Sequence, residues 1–386
     1  MAEPVYLDHA ATTPLAPVAR DAWVRAASVV GNPSSAHAAG RAARRVVEEA
    51  REQVADALGA RPAEVVFTSG GTEADNLAVL GIARARRAAD PGRVRVLVSA
   101  VEHAAVLEAA DKLAAEGFDI TRLPVDHDGR VLPASAVRLL SEAPETIALV
   151  SCQWTNNETG ALQPVAEIAK LARGRGVLVH TDAVQAVAHE PVRFTGLDAL
   201  SVTAHKLGGP MGVGALLVRT DVPLAPLGFG GGQERAVRSG TVPVALIASF
   251  AAALGEAVRV REAERAHLRG LSARLATGLE AIVPGCVVGP SDPAWRSPHI
   301  VNAVFPGHRA ADLLVLLDQA GVACSAGSAC HAGVVRSSHV LAAMGYSPAD
   351  AASGLRFSFG RTSTAADVDA ALAVLPTVLA RTGAGA

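Results

Sequence analysis

Short apolar runs recur along this chain, and between them lie segments whose apolar residues repeat at helical spacing. From about residue 40, "GRAARRVVEEAREQVADALGA" has helical period and "EVVFTS" reads as a strand. A helix "TEADNLAVLGIARARRA", a strand "RVRVLVSA" and a helix "HAAVLEAADKLAAEG" follow. Further strands are expected at "TIALVS", "GVLVHTD", "DALSVTA" and "GVGALLV", with a helix "VAEIAKLARGRG" among them. Parallel strands cannot be joined by a tight turn and need a crossover, so this alternation dictates an α/β fold with a mostly parallel sheet flanked by helices.

The rhythm changes after "VPVALIASFAAALG", a run too short and too rich in alanine for a membrane span and better read as a buried helix. Strands at "CVVG", "HIVNAVF" and "GLRFSFG" then alternate with helices at "RAADLLVLLDQAG" and "DVDAALAVLPTVLAR", the pattern of a smaller α+β domain. The expected division is residues 15–257 for the large α/β domain and residues 1–14 with 258–386 for the small one. A chain of 386 residues that is 50% hydrophobic can fill both cores. A net charge of −2 without a basic stripe argues against nucleic acid or an anionic membrane as partner. The first residues lack the basic start and apolar core of a signal peptide. The 4 cysteines are too few for a disulfide framework at this length, so a reduced, cytoplasmic protein is expected.

The polar residues suited to chemistry follow the expected strands: Thr72, His103, Asn157, Asp182 and Lys206. In an open parallel sheet the carboxyl ends of the strands face one crevice, where ligands bind. Lys206 is one of three lysines, with Lys112 and Lys170, and stands between His205 and a run of glycines. A lone lysine there ordinarily packs its stem and lifts its ammonium to water. Partly desolvated, the same amine becomes a nucleophile fit for a Schiff base. Asp182 is either an N-cap for "AVQAVA" or the partner of a protonated pyridine nitrogen in pyridoxal phosphate, with Gln185 within reach of the same group. "VFTSGGTEADN" offers Gly71, Thr72 and a helix N-terminus to an anion. It is neither a Walker A sequence nor GxGxxG, and "GFGGGQER" also fails the dinucleotide pattern.

Together these segments resemble the cysteine desulfurases, within the class V aminotransferase group of fold-type I pyridoxal phosphate enzymes. The resemblance runs from "YLDHAATTP" and "GNPSSAH" through "FTSGGTEADN", "EHAAV", "TNNETG", "HTDAVQ" and "TAHKLGGPMGVG". It ends with "GGGQERAVRSGT", "CSAGSACHAG" and "LRFSFGR", and so covers nearly the whole chain. It implies that Lys206 bonds covalently to the cofactor, that Asp182 pairs with the ring nitrogen, and that His103 stacks on the ring and shuttles protons. Gln185 would touch the phenolic oxygen. Thr72, Thr203 and His205 would hold the phosphate, joined by Thr241 of a second subunit in a homodimer. Asn157 and Arg356 would contact the carboxylate of L-cysteine, and Cys330 would accept its sulfur as a persulfide for transfer to an acceptor protein. Three positions depart from the commonest pattern: Thr203 where serine is frequent, Gln233 for a frequent histidine, and His331 after Cys330 where serine or threonine is common.

Bland readings compete at several of these positions. A cysteine among Ala, Ser and Gly is often an inert packed residue, and Cys152 and Cys286 read as core. Cys324, Cys330 and His331 have irregular spacing and no fourth ligand, so no metal site is expected. His9, His37 and His180 read as satisfied structural histidines. Two rival functions remain: selenocysteine lysis or amino transfer on the same scaffold, and a non-catalytic binding module of sulfur machinery.

Overall fold

The apolar runs form the strands of one seven-stranded sheet. The computed structural model describes residues 4–327 and 337–382. The chain opens with β1 (Val5–Tyr6), α1 (Pro17–Ala27) and α2 (Ala38–Leu58). Then β2 (Val65–Thr68) leads into α3 (Gly71–Ala89), β3 (Arg95–Ser99) into α4 (Ala104–Ala115), and β4 (Asp119–Leu123) into α5 (Pro133–Ser141). Next come β5 (Ile147–Ser151), α6 (Val165–Arg173), β6 (Val179–Asp182), β7 (Ala199–Thr203) and β8 (Gly214–Val218). The sheet order is β2-β8-β7-β6-β5-β3-β4.

Strands β3 to β7 pair in parallel, whereas β8 runs antiparallel to both of its neighbours, β2 and β7. The connection 204–213 carries no helix, so the chain turns back at the carboxyl end of β7. That turn contains Lys206. Strands β2, β5, β6, β7 and β8 are buried at every position, because helices cover both faces. α1, α2, α5, α6 and the start of the next helix pack on one face, and α3 with α4 on the other.

That next helix, α7 (Val244–Ile282), spans 39 residues, about 58 Å at the usual rise. Ile247, Phe250 and Leu254 belong to the core of the large sheet, while Leu268, Leu271, Leu275 and Leu279 belong to a separate core. The second core is built from β9 (Val287–Val288), β10 (Ile300–Val304), α8 (Ala310–Gln319), β11 (Val322–Ala323) and β12 (Ser325–Ala326). It is completed by β13 (Gly354–Ser358) and α11 (Ala365–Thr382), whereas α9 (His339–Ala343) and α10 (Pro348–Ala351) pack with Val101, Val288 and Val304 in a small cluster of their own. Strands β12-β13-β10-β9 form an antiparallel sheet, and β1 pairs in parallel with β11.

Three local expectations are corrected. The apolar run ending at Gly255 is only the first part of α7, whose amphipathic remainder continues to Ile282. β4, "DITRL", is an additional edge strand; its mixed exposure hid it among polar residues. "AVQAVA" after Asp182 folds into successive turns rather than a helix.

Because Leu254 and Leu275 lie about 31 Å apart along α7 and in different cores, Leu254→Ala and Leu275→Ala are each expected to cost about 2–5 kcal/mol. In urea denaturation the double variant is expected to show their sum. A coupling above about 1 kcal/mol would show that the two cores do not behave separately.

Candidate active site

Every strand of the main sheet except β8 points the same way, so residues distant in sequence meet at one edge. Gly71 and Thr72 follow β2, His103 follows β3, Asn157 follows β5, Asp182 ends β6, and Thr203, His205 and Lys206 follow along β7. All of them, with Gln185, line one cavity of about 420 Å³. Lys206 also lines a neighbouring cavity of about 640 Å³, between the segment 13–17 and α7. Lys206 therefore stands in a wall between two hollows.

One end of the smaller cavity suits an anion. The α3 N-terminus opens at Gly71, where backbone N–H groups have no helical partner. A Cβ on Gly71 would come within 2.7 Å of Val184 Cγ2, so the approach to this cradle has no room for a larger residue. His205 Nδ1 lies 3.3 Å from Thr12 Oγ1. Burial, and then the charge of Lys206, hold the ring down at a pKa of about 4. At neutral pH His205 is thus an uncharged donor rather than a cation.

The other end is acidic. Asp182 is buried, and its Oδ1 accepts the N–H of Val184 at 2.8 Å. Burial raises its carboxyl above the usual range, opposed by that bond and by the charge of Lys206. His103 caps α4, its Nδ1 accepting the Ala105 N–H at 3.1 Å. The neutral ring therefore carries its proton on Nε2.

Arg356 and Thr241 do not line this cavity. Arg356, on β13, donates from Nη1 to the Asn157 carbonyl at 2.8 Å and from Nη2 to Asp8 Oδ1 at 2.9 Å, while its Nε is buried without a partner. It reaches the site across the junction of the two cores. Thr241 is exposed on its own chain. Cys330 and His331 lie outside the described residues. Of the other three thiols Cys152 and Cys286 are buried and Cys324 is half-buried: desolvation pushes Cys324 up to about 12 and Cys286 to about 11, and raises Cys152 well above its usual value. Among the described residues no cluster could hold a metal ion. His180 bonds Ser151 Oγ and Ser201 Oγ, both at 2.9 Å. His9 bonds Thr13 Oγ1 at 2.7 Å, and His37 caps α2.

The sequence reading missed four residues here. Asp75, Gln153 and Thr155 also line the cavity, and Glu102 lies beneath Gln153, accepting its N–H at 2.6 Å. Asp75 Oδ1, Glu102 Oε2 and Thr155 Oγ1 are buried with no hydrogen-bond partner. Asp75 follows Thr72 by one turn of α3, and that helical spacing was the available signal.

A flat ring with a protonated nitrogen at one end and a phosphate at the other fits this donor set. The buried Asp182 carboxylate needs a cationic partner, and the α3 N-terminus with Thr203 and His205 supplies the anion cradle. Pyridoxal phosphate is such a molecule.

A family model described as aminotransferase class-V matches residues 5–371. An IscS-like cysteine desulfurase of Mycobacterium tuberculosis is 50% identical over 379 residues, 97% of this chain and 96% of that protein. A cysteine desulfurase of Cereibacter sphaeroides is 43% identical over 98% of this chain and 96% of its own. Among solved structures, a NifS-like protein superposes with a TM-score of 0.88 at 33% identity, covering 98% of this chain and 100% of that one.

Asp75 generates a pH prediction. Burial, and then the charge of Asp182, raise its carboxyl well above the usual value, so the folded state holds a proton that the unfolded state releases above about pH 4. The group's stabilising contribution is present below that pH and is lost as pH rises. Asp75→Asn is therefore expected to gain stability over the wild type from pH 4 to pH 8, by about 1.4 kcal/mol per unit of pKa elevation. Urea midpoints across that range, measured without cofactor, check it; a constant difference contradicts it.

Proposed function

The chain belongs to the class-V aminotransferase family, and from that membership we infer that it is a cysteine desulfurase dependent on pyridoxal phosphate. The substrate is L-cysteine, and the products are L-alanine and a sulfur atom carried by the enzyme as a cysteine persulfide. The observation that carries the reading is the meeting of Lys206, Asp182 and the α3 N-terminus in one cavity.

Lys206 would hold the cofactor covalently, with Asp182 toward its ring nitrogen, Gln185 toward its phenolic oxygen, and Gly71, Thr72, Thr203 and His205 toward its phosphate. When bound, pyridoxal phosphate supplies a ring that takes up the electron pair released at the substrate's α-carbon. The Asp182 carboxylate, in a buried setting, keeps the facing nitrogen protonated by charge. Lys206 Nζ and His103 Nε2 hold and move protons above the cavity floor. Arg356 and Asn157 orient the substrate carboxylate, and the bond from Arg356 to the Asn157 carbonyl sets their relative position.

Cys330 Sγ accepts the sulfur: an S–S bond forms as the substrate's Cβ–S bond breaks, and the electron pair left on Cβ takes up a proton to give the methyl group of alanine. A thiol of ordinary pKa, about 8.5, must first lose its proton, and His103 is one candidate base and His331 a weaker one. The three described cysteines support this choice, since burial keeps each of them a protonated thiol.

A homodimer fits the surface. Val30, Met211 and Phe229 are large apolar side chains left 84%, 66% and 87% exposed, and Thr241, exposed on its own chain, would join a second copy's phosphate site. An acceptor protein for the persulfide is the remaining partner. No described helix is long and apolar enough to cross a membrane, and the free cysteines support a cytoplasmic location.

Purified protein given pyridoxal phosphate is expected to show a visible absorption band that borohydride abolishes and that Lys206→Ala lacks. Cys330→Ala is expected to keep the band while alanine and sulfide release from L-cysteine falls roughly 100-fold or more. Sulfur release by Cys330→Ala at the wild-type rate would remove Cys330 from its assigned role.

A further inference from the structure

Behind Gln185 lies a buried hydrogen-bonded series that none of the assigned roles uses. Gln185 Nε2 donates to the Ala10 carbonyl at 2.8 Å. A carbonyl oxygen only accepts, so the amide nitrogen must face Ala10 and the amide oxygen must face the other way. There, Gln185 Oε1 lies 3.3 Å from His299 Nε2. An amide oxygen also only accepts, so the ring must carry its proton on Nε2. His299 Nδ1 then presents a lone pair to Ser297 Oγ at 3.0 Å. The same hydroxyl lies 2.9 Å from Glu190 Oε1. One hydroxyl proton cannot satisfy both acceptors. The series closes only if it holds one proton more than the neutral ring and ionised carboxylate supply.

On the reading that the cavity takes pyridoxal phosphate, we propose that His299, Ser297 and Glu190 form a positioning relay. It holds one proton on Glu190 and thereby fixes the Gln185 amide with its second N–H toward the cofactor's phenolic oxygen. The proton on Glu190 Oε1 is donated to Ser297 Oγ, Ser297 donates to His299 Nδ1, and His299 Nε2 donates to Gln185 Oε1. Glu190 Oε2 remains an acceptor for Arg265 Nη2 at 3.0 Å, so the guanidinium and the acid proton use different oxygens.

The surroundings favour the carboxyl over the imidazole as the proton's holder. His299 is fully buried and stacks on His189 with ring centroids 3.8 Å apart. Burial holds it well below the usual imidazole value, and His189, Arg356, His9 and Lys206 all push it further down. Burial raises Glu190, against the pull of Arg265, Ser297, Arg269 and Arg261. Once Glu190 ionises, Ser297 turns its hydroxyl to the carboxylate and His299 Nδ1 loses its donor. The ring then favours the other tautomer, which presents a lone pair to the Gln185 oxygen.

The relay is tested on the holoprotein and its apo form. Pyridoxal phosphate titrated into apo His299→Leu is expected to bind about tenfold more weakly than to wild type, the effect of one lost buried hydrogen bond. The pH midpoint of the bound cofactor's visible band is expected to move upward, because its phenolic oxygen loses a donor. His299→Gln, which returns an amide N–H near the Nε2 position, is expected to recover both. Nitrogen-15 NMR of the wild-type apoprotein needs no variant to fold: it is expected to show the His299 proton on Nε2. A proton found on Nδ1, or a His299→Leu protein with wild-type affinity and midpoint, overturns the relay alone. A wild-type protein that binds no pyridoxal phosphate overturns the cofactor reading and the relay with it.

Discussion

Asp182 and Lys206 bring opposite charges to the ends of neighbouring strands and share one small cavity. Each pays less for burial because the other is near, and the attraction opposes the upward shift that burial imposes on the carboxyl. The arrangement depends on the sheet. β6 and β7 must run in parallel for their carboxyl ends to meet, and the chain must then turn back as β8 for the lysine-bearing connection to lie over that edge. Helices on both faces keep water from the strands, and the low dielectric they create is what makes the pair interact strongly.

Much of this is legible without coordinates. Strands buried on both sides carry mostly apolar runs, so β2, β5, β7 and β8 stand out as "VVFT", "IALVS", "ALSVT" and "GALLV", and β6 through the "GVLV" that leads into it. The residues at their ends inherit a common address from the topology, which is why Thr72, His103, Asp182 and Lys206 can be grouped before any distance is known. β4 escaped because an edge strand need not be apolar. The far half of α7 escaped because its apolar stripe is interrupted by the arginines and glutamates of a partly solvated helix.

Other features are invisible to sequence for a different reason. His299, Ser297 and Glu190 become a connected series only when the turn after β6 packs against the segment entering β10, 107 positions separating Glu190 from Ser297. Asp75 belongs to a quoted motif, yet its chemical weight comes from burial beside Asp182, which no local pattern reports. Arg356 likewise bonds Asp8 and Asn157, partners 348 and 199 positions away along the chain. Burial also separates the cysteines: it leaves Cys152, Cys286 and Cys324 as protonated packing groups.

Helix α7 ties the two cores together with a single rod, and a rod confers leverage. From Arg261, which is buried with Nε and Nη2 unpartnered, to Ile282 the helix runs about 31 Å. A bend of about 10° at that point sweeps the far end through about 5 Å. The strand bearing Arg356 shares its core with that arm, so under the proposed role of Arg356 a swing of the arm would shift its hold on a substrate carboxylate.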